Sequence, residues 1–588
     1  MSKKSGYTGK TASRSEKSKS RSIFAETPDH GARQISDGAG AAEKRRGTWI
    51  NRWTLARAGA VMLFLAVYLL RLDRVVGLMI DDAWYVLLAK ALATGHGYTV
   101  VNSPSAGMLP LYPPAFPALL SLAYRIAPNF PQNIYLLKSV SIAAMFGVGA
   151  IAYVYFKRER AIPKHIALGM ALAAAISPPL VMLATSTVMS ECVFALSFLA
   201  AVLVIERSAR HENRAIRLMY AVAGAALASF TFLTRSMAIG LLVAGAVYFI
   251  KKRLLRTAWI YSAAAAAFSA PWMIYSRLHA PTVAQQAEQG GHIIRGYSAQ
   301  FWDRIAGYPE LGEVGFTDLP MRVWNNILEI IGVNVGAIVV NPLFPGLSQG
   351  TGERWGGVGA VASLLLTAIV VIGFIMTARE KVSFAEIALP LSLLAPLSWG
   401  FAQFRYVVPY TPFVIFYLLM GVAALDRWRR QQSSTDHIFN PTRLLSATLC
   451  VVLLFNCYSH ADYITKRFGG DAQSRPGLLR SFEQHEDLLK WAAENLNQDG
   501  VLLTQNPPMA YLYTERKTIN YDFPAERWQL WKQLGVRYFV RNSPMPLPSR
   551  DEMDQSFHAI YRAEGEMHLR VIDLGVPASR QPWNHVRR

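Results

Sequence analysis

From Leu55 to His460 the chain runs through repeated stretches of about 20 mostly apolar residues, separated by short polar breaks. A hydrocarbon core of about 30 Å is crossed by a helix of that length, and it offers backbone N–H and C=O groups no water. These stretches are therefore predicted to be transmembrane helices. The polar breaks sort by charge. Lys157 to Lys164, Arg207 to Arg217, Lys251 to Arg256, Arg379 to Lys381 and Arg427 to Arg443 are dense in Lys and Arg, which places all five on the cytoplasmic side. Between two such loops the chain crosses an even number of times. Ile166 to Ile205 is thus predicted to be a hairpin turning near Ser186, Leu218 to Ile250 one with Arg235 at its outer turn, and Phe384 to Leu425 one turning near Gln403. The count is about eleven spans, with the N-terminus inside and the C-terminus outside. Ile327 to Leu343 is apolar and nearly long enough to cross, but a crossing there would carry Arg427, Arg429 and Arg430 outside. It is predicted to be an interfacial or partly inserted helix.

Three outer segments remain: Asp81 to Asn133, Ser276 to Gly356, and everything after Ala461. The chain accordingly divides into a basic tail (1–52), a polytopic domain (53–460, with outer loops 81–133 and 276–356) and a soluble extracytoplasmic α/β domain (461–588). In the last, Glu483 to Leu496 reads as an amphipathic helix, Val501 to Thr504 as a strand, Ala525 to Leu534 as a helix and Val536 to Val540 as a strand. Trp528, Trp531, Tyr511 and Tyr513 have the faces to stack on sugars, but aromatic residues at helical spacing are more often core. The tail is rich in Ser, Lys, Arg and Gly and is expected to be disordered and cytoplasmic. Its Gly9-Lys10-Thr11 lacks the glycine spacing and preceding strand of a phosphate loop. No apolar core with a cleavage site precedes the first hydrophobic run, which is expected to stay as an anchor.

Composition agrees. With 52% hydrophobic and 17% charged residues in 588, the chain is too apolar for an ordinary soluble protein. The net charge of +21 sits in the tail and short loops, so it signals topology and no nucleic-acid partner. Cys192, Cys450 and Cys457 fall in apolar helices and read as packing residues, with no disulfide framework or thiolate metal site.

The first outer loop carries the chemistry. Asp81-Asp82-Ala83-Trp84-Tyr85 leads through Ala89 to Gly95-His96-Gly97-Tyr98. In a helix Asp81, Tyr85 and Ala89 share one face, while Trp84, Leu87, Leu88 and Leu92 are expected to lie along the membrane boundary. The glycines end the helix, and Tyr112-Pro113-Pro114 opens a second one through Phe116, Leu119, Leu120 and Tyr124.

This ordered set resembles the first outer loop of the GT-C membrane glycosyltransferases, which include the protein O-mannosyltransferases and the enzymes that add aminoarabinose to lipid A. The likeness extends more weakly to about Ile250 and to Arg405-Tyr406-x-x-Pro409, and is only general after Ala461. It implies a multi-pass α-helical membrane protein that moves a sugar from a polyprenyl-phosphate donor to an acceptor on the outer face, by a single inverting displacement without a covalent sugar intermediate. In the family the first carboxylate of an Asp-Glu pair is catalytic. That nominates Asp81, with Asp82 standing where the glutamate is usual.

The residues make chemical sense by themselves. Transfer from a lipid phosphate requires a carboxylate to take the acceptor proton and cations beside the departing phosphate. Asp81 is the candidate base; an ordinary helix cap is its structural alternative. Glu191, after Ser190 at an outer hairpin end, resembles the second acidic position of the family. It would orient the acceptor or hold a divalent cation with Asp81 or Asp82, against the alternative of a water-facing acid. Arg235 and Arg405 occupy outer turns suited to phosphate oxygens, or snorkel there. Tyr85, Tyr112, Tyr406 and Lys138 complete the substrate-facing set. His96 either touches substrate or caps its loop, with the cap favoured. No Asp-x-Asp triplet or strand-turn-helix glycine fingerprint marks a nucleotide sugar, so the expected partners are a polyprenyl-phosphate sugar, membrane lipid and an acceptor that is protein, glycolipid or polysaccharide. No cofactor is assigned, a divalent cation stays open and no metal ligands are named. The expected location is the inner cell membrane. A transporter or flippase of lipid-linked sugars, or a non-catalytic scaffold, are the competing classes; no clear internal repeat supports the first.

Overall fold

The computed structural model describes residues 52–105, 107–108, 111–282, 296–306, 311–344, 346, 357–432, 441–469, 475–497, 500–521, 528–541, 557–562 and 569–577. The N-terminal tail with Gly9-Lys10-Thr11, about a third of the loop 276–356 and the start of the helix expected at Ala525 lie outside them.

Helix α1 (Arg52–Arg71) faces the protein with Phe64, Val67 and Tyr68, while Met62, Leu65 and Leu69 stay exposed, as a lipid-facing stripe requires. Then follow α2 (Asp81–Ala93) and α3 (Ala115–Ile126) in the first loop, α4 (Ile134–Val154), the bent pair α5 (Lys164–Ala175) and α6 (Pro178–Thr185), α7 (Glu191–Arg210), α8 (Arg214–Thr234), α9 (Ile239–Lys251) and α10 (Leu255–Leu278). Helices Gly357–Glu380, Ala385–Ser398, Thr411–Gln432 and Pro441–Phe468 complete the bundle. Among the described residues seven helices are long and apolar enough to cross a membrane, or eight with α5 and α6 taken as one span bent by 47°. The other expected crossings correspond to α9 and Ala385–Ser398, which are short, and α10, which is long but falls outside those seven.

The hairpin turns fall where the charge parity puts them: at Ser186 to Ser190, at Arg235, and at Trp399 to Tyr410. Ile327 to Leu343 is broken into a π-helical stretch (Ile327–Asn334), an α-helical turn (Val335–Val339) and a 3-10 turn (Asn341–Leu343). Asn326 bonds the carbonyls of Leu397 and Trp399 and fixes its start against the neighbouring hairpin. Helices Gly357–Glu380 and Thr411–Gln432 approach through reciprocal glycines. A Cβ on Gly373 would stand 1.9 Å from the Tyr417 carbonyl oxygen, and one on Gly421 2.0 Å from that of Ile369.

Two buried ionic networks pin opposite ends of the bundle. At one end Lys138 donates to the Asp73 carboxylate (3.0 Å) and to the carbonyls of Asp73 (2.8 Å) and Thr185 (2.7 Å), while Ser186 (2.6 Å) and Tyr463 (2.8 Å) donate to the other Asp73 oxygen. At the other end Arg160 meets Glu386 at 3.0 Å and Glu206 at 3.6 Å, with Tyr417 donating to Glu386. Each joins helices distant in sequence, because an unpaired charge there has no solvent to turn to.

The C-terminal region forms a five-stranded sheet, ordered β2-β1-β3-β5-β4, from β1 (Val501–Thr504), β2 (Thr518–Asn520), β3 (Val536–Arg541), β4 (Phe557–Arg562) and β5 (Arg570–Pro577). β1 pairs parallel with β2 and β3, while β5 pairs antiparallel with β3 and β4. Helix Gly477–Asn495 begins earlier than the amphipathic pattern suggested, and helix Pro507–Thr514 between β1 and β2 was not anticipated. Trp531 is buried against Tyr521, and Tyr513 packs edge-on against Phe130 of the first loop, so both serve packing. Trp84, Leu87 and Leu88 correct an expectation: all are buried inside the protein and none lies along the membrane boundary.

Lys138→Ala leaves the Asp73 carboxylate buried without its cation, which costs roughly 3–5 kcal/mol when one partner of a buried pair is removed. The expected result is a sharp fall in the temperature at which the detergent-solubilised protein loses its monodisperse peak; an unchanged temperature would show that the pair carries no stability.

Candidate active site

The first catalytic candidate is placed by a strained turn. Ile80 takes φ 60 and ψ -56, and the Asp81 N–H reaches back to the Met79 carbonyl at 2.6 Å, closing a γ-turn. A β-branched residue with positive φ persists only where its surroundings over-determine it. Those surroundings are visible. The neighbouring Gly77 N–H donates to the Asp82 carboxylate at 2.7 Å, and the Gly77 carbonyl accepts from the Asn506 side chain at 2.6 Å. Gly77 itself has φ +88, and a Cβ there would meet the Met509 sulfur at 2.8 Å. The C-terminal sheet domain thus grips the turn that starts α2. Further contacts from that domain, Arg74 to Glu486 and Lys90 to Glu515, fix loop one along its length.

With α2 so anchored, Asp81 and Asp82 part company. Asp82 is fully buried, and its oxygens serve Gly77 and Ala83 N–H groups; burial pushes its carboxyl up to about 6 against those two bonds, with the Asp81 charge adding to the rise. Asp81 makes no cap. One of its oxygens accepts from the Tyr112 hydroxyl at 2.8 Å and the other from the Arg405 guanidinium at 2.9 Å, and its side chain remains 30% exposed. Burial, reinforced by the Asp81 charge, lifts the Tyr112 phenol well above its ordinary range, so it serves as a donor.

Three hairpin turns converge on this carboxylate. Glu191 opens α7 and is fully buried. Its Oε1 accepts from Arg235 at 2.7 Å and lies 3.6 Å from Arg405, while its Oε2 has no hydrogen-bond partner among the described residues. Arg235 occupies the break between α8 and α9 and also reaches the Ser190 hydroxyl, which meets Tyr85 at 3.0 Å. Arg405 stands in the 3-10 turn Phe404–Tyr406, where Gln403 accepts from its Nε and Nη2 at 3.2 and 2.9 Å. Neither arginine snorkels outward, and Glu191 does not face water.

Asp81, Tyr85, Tyr112, Arg235 and Tyr406 all line one cavity of about 750 Å³. Its walls are otherwise largely apolar and aromatic, with Trp272, Tyr297, Phe301, Trp399 and Phe401 among them, and Ser236, Ser276, Ser298, Gln300 and Ser398 as scattered polar groups. Of the other residues singled out in the sequence, Lys138 is a correction: it is sealed in the Asp73 network and does not line the cavity. His96 is exposed, does not line the cavity, and its Nδ1 meets the Thr94 hydroxyl at 2.8 Å. Asp82 holds the turn and does not reach the cavity. Pattern reading passed over Ser190, Gln403, Tyr297 and Asn506. Gln403 and Ser190 carry a faint local signal as neighbours of candidate charges, whereas Asn506 has none, because its partner lies 429 positions away.

The donor set does not fit a divalent cation. Arg405 stands between Asp81 and Glu191, Asp82 turns to backbone N–H groups, and among the described residues no three His, Cys, Asp or Glu side chains form a metal-holding group.

No protein-family model matches the sequence, and no curated protein matches it. Solved structures do share the fold. ArnT from Cupriavidus metallidurans bound to undecaprenyl phosphate superposes with a TM-score of 0.51 at 13% identity, covering 88% of this chain and 98% of that one. The Archaeoglobus fulgidus oligosaccharyltransferase in complex with Zn and sulfate gives 0.51 at 13% identity, over 82% and 67%. At these identities the likeness is one of overall fold, which the chain shares with both structures.

Two outcomes follow from this geometry. Because Asp82 binds its proton more tightly folded than unfolded, it stabilises the protein fully below about pH 4, and that contribution, at most roughly 3 kcal/mol, is lost as pH rises through about 6. Asp82→Asn should abolish this part of the pH dependence in unfolding experiments, and a parent protein whose stability rises over the same interval would contradict the assignment. Asn506→Ala should speed amide exchange at Gly77 and Ala83 about five- to tenfold, read by peptide-level hydrogen exchange, since a bond to the turn is lost; unchanged exchange would detach the sheet domain from the control of α2.

Proposed function

We propose that this protein is a membrane glycosyltransferase that moves a sugar from a polyprenyl-phosphate donor to an acceptor hydroxyl or amide, with Asp81 as the base. The observation that carries the reading is the Asp81 carboxylate on the wall of a cavity whose other charged lining group, among the described residues, is Arg235, with Arg405 bridging Asp81 and Glu191. The shared fold adds a ligand class, since one relative was solved with undecaprenyl phosphate bound.

The donor's isoprenoid lies against the aromatic wall formed by residues such as Trp272, Phe401 and Trp399, and its phosphate approaches Arg235 and Arg405. Guanidinium forks suit phosphate oxygens, and their cost in partial burial is already met by Asp81 and Glu191. The acceptor's nucleophilic oxygen or nitrogen attacks the anomeric carbon and gives its proton to Asp81. The bond from that carbon to the phosphate oxygen breaks, and its electron pair leaves with the polyprenyl phosphate, beside the two arginines. One displacement inverts the anomeric centre. Tyr112 and Arg405 hold the carboxylate in place, and Glu191 keeps both guanidiniums paired before donor binding.

In this reading the chain crosses the membrane about eleven times, with the N-terminus cytoplasmic and the site and sheet domain on the opposite side. The basic breaks at Lys157, Arg207, Lys251, Arg379 and Arg427 support that placement. The gathering of Asp81, Glu191, Arg235 and Arg405 at one helix end favours chemistry on that face over passage through the bundle, which argues against a flippase.

Asp81→Asn should lower sugar transfer from a radiolabelled polyprenyl-phosphate sugar by about 10²–10⁴-fold with little change in donor KM. Undiminished transfer would remove Asp81 as the base, and a wild-type protein inert toward every such donor would sink the enzymatic reading.

A further inference from the structure

Glu191 and Arg210 mark opposite ends of α7, whose 20 residues separate them by about 28 Å at 1.5 Å per residue. At the Arg210 end, among the basic breaks, the chain forms a second cavity, shallow, open and polar, of about 370 Å³, lined by Arg158, Glu159, Arg207, Arg210, His211 and Tyr220. Glu159 is shared: it accepts from Arg207 Nε at 2.8 Å and from Arg210, so one carboxylate sets two guanidiniums side by side. Arg210 also lies 3.6 Å from Glu206. The His211 ring stacks on Tyr220 with centroids 4.9 Å apart and closes one wall. Three guanidiniums facing one lining carboxylate leave the cavity cationic, and the Arg207 and Arg210 side chains remain 28% and 44% exposed at its mouth.

Past its charged first residue, the start of α8 carries exposed apolar side chains. Asn213 caps α8 by accepting from the N–H groups of Ala215 and Ile216, and the helix so started carries Tyr220 of the cavity wall. Ile216 and Met219, 38% and 63% exposed, lie three positions apart on α8, and Ile216 sits one turn before Tyr220. A cationic pocket between the end of α7 and the start of α8, with exposed apolar side chains on α8 within a turn of its Tyr220, matches a molecule that is anionic at one end and hydrocarbon at the other. Guanidinium forks suit phosphate oxygens, and a free anion would leave those apolar side chains unused.

We propose that this cavity binds the phosphodiester head group of an anionic phospholipid, with the acyl chains lying along Ile216 and Met219. The site is separate from the Asp81 cavity and does not depend on the reaction assigned there.

The test uses the full chain in detergent, titrated with phosphatidylglycerol or with phosphatidylcholine of the same acyl composition and followed by native mass spectrometry, with inorganic phosphate and glycerol 3-phosphate as soluble arms. Wild type should retain phosphatidylglycerol in preference to phosphatidylcholine. Each guanidinium at a membrane surface is worth about a fivefold change in affinity, so Arg158→Gln should weaken phosphatidylglycerol about fivefold and the pair Arg207→Gln with Arg210→Gln about 25-fold. Arg158→Gln leaves the ion pairs of Glu159 with Arg207 and Arg210 in place, which separates lost binding from lost folding. Met219→Asn should weaken the lipid while leaving the soluble phosphates unaffected. Equal retention of the two lipids, wild-type affinity in both arginine variants, or inorganic phosphate binding as tight as phosphatidylglycerol would each overturn the proposal.

Discussion

The guanidinium of Arg405 is the constraint around which the candidate site is arranged. Two carboxylates, Asp81 and Glu191, approach one another at the end of an apolar helix bundle, and such an approach is tolerable only with cations between them. Arg405 contacts both, and Arg235 adds a second cation on Glu191. Gln403 in turn takes two of the Arg405 donors and fixes the plane of its fork. The result is a neutral quartet of charges, held by turns instead of by helix interiors, with Asp81 and Arg235 open to the large cavity. A phosphate entering beside the arginines would compete for donors that Asp81 and Glu191 now share, so anion binding and the freedom of the Asp81 carboxylate are linked through the same guanidinium.

What holds Asp81 at the mouth of that quartet is the grip of a domain that lies far away in sequence. The γ-turn at Ile80 is strained, and strain of this kind is maintained by neighbours: Asp82 bonds Gly77, and Asn506 and Met509 close over Gly77 from the sheet domain. The pair Asp81-Asp82 therefore divides its labour. The first residue faces the cavity, and the second spends its oxygens on the backbone that aims the first. This gives a physical reason for a shorter acid at the second position, since Asp82 reaches Gly77 and Ala83 N–H groups only a few residues away.

Much of the framework could be read from one dimension. Apolar runs about 20 residues long have one stable form in hydrocarbon, and Lys and Arg bias makes hairpin parity countable, which is why the turns at Ser186, Arg235 and Gln403 were legible. Strands Val501–Thr504 and Val536–Arg541 showed themselves as short runs of apolar, β-branched and aromatic residues, whereas β4 and β5 were not picked out. Side-chain environment was harder. Trp84, Leu87 and Leu88 look the same to a pattern whether they meet lipid or protein, and both are apolar. Lys138 and Arg235 each read as a cation near a helix end, yet one is locked on Asp73 and the other lines the cavity.

By itself, the sequence determined that the chain enters a membrane, roughly where it turns, and which acids and arginines stand at those turns. These are local matters, set by how many residues separate one apolar run from the next and by the cost of leaving backbone groups unbonded in hydrocarbon. Tertiary structure alone decided which of those charges meet. Arg405 reaches Asp81 across 324 positions and Asn506 reaches Gly77 across 429, and no periodicity encodes either contact. A buried charge must find a partner in space, and which partner it finds depends on how the helices pack.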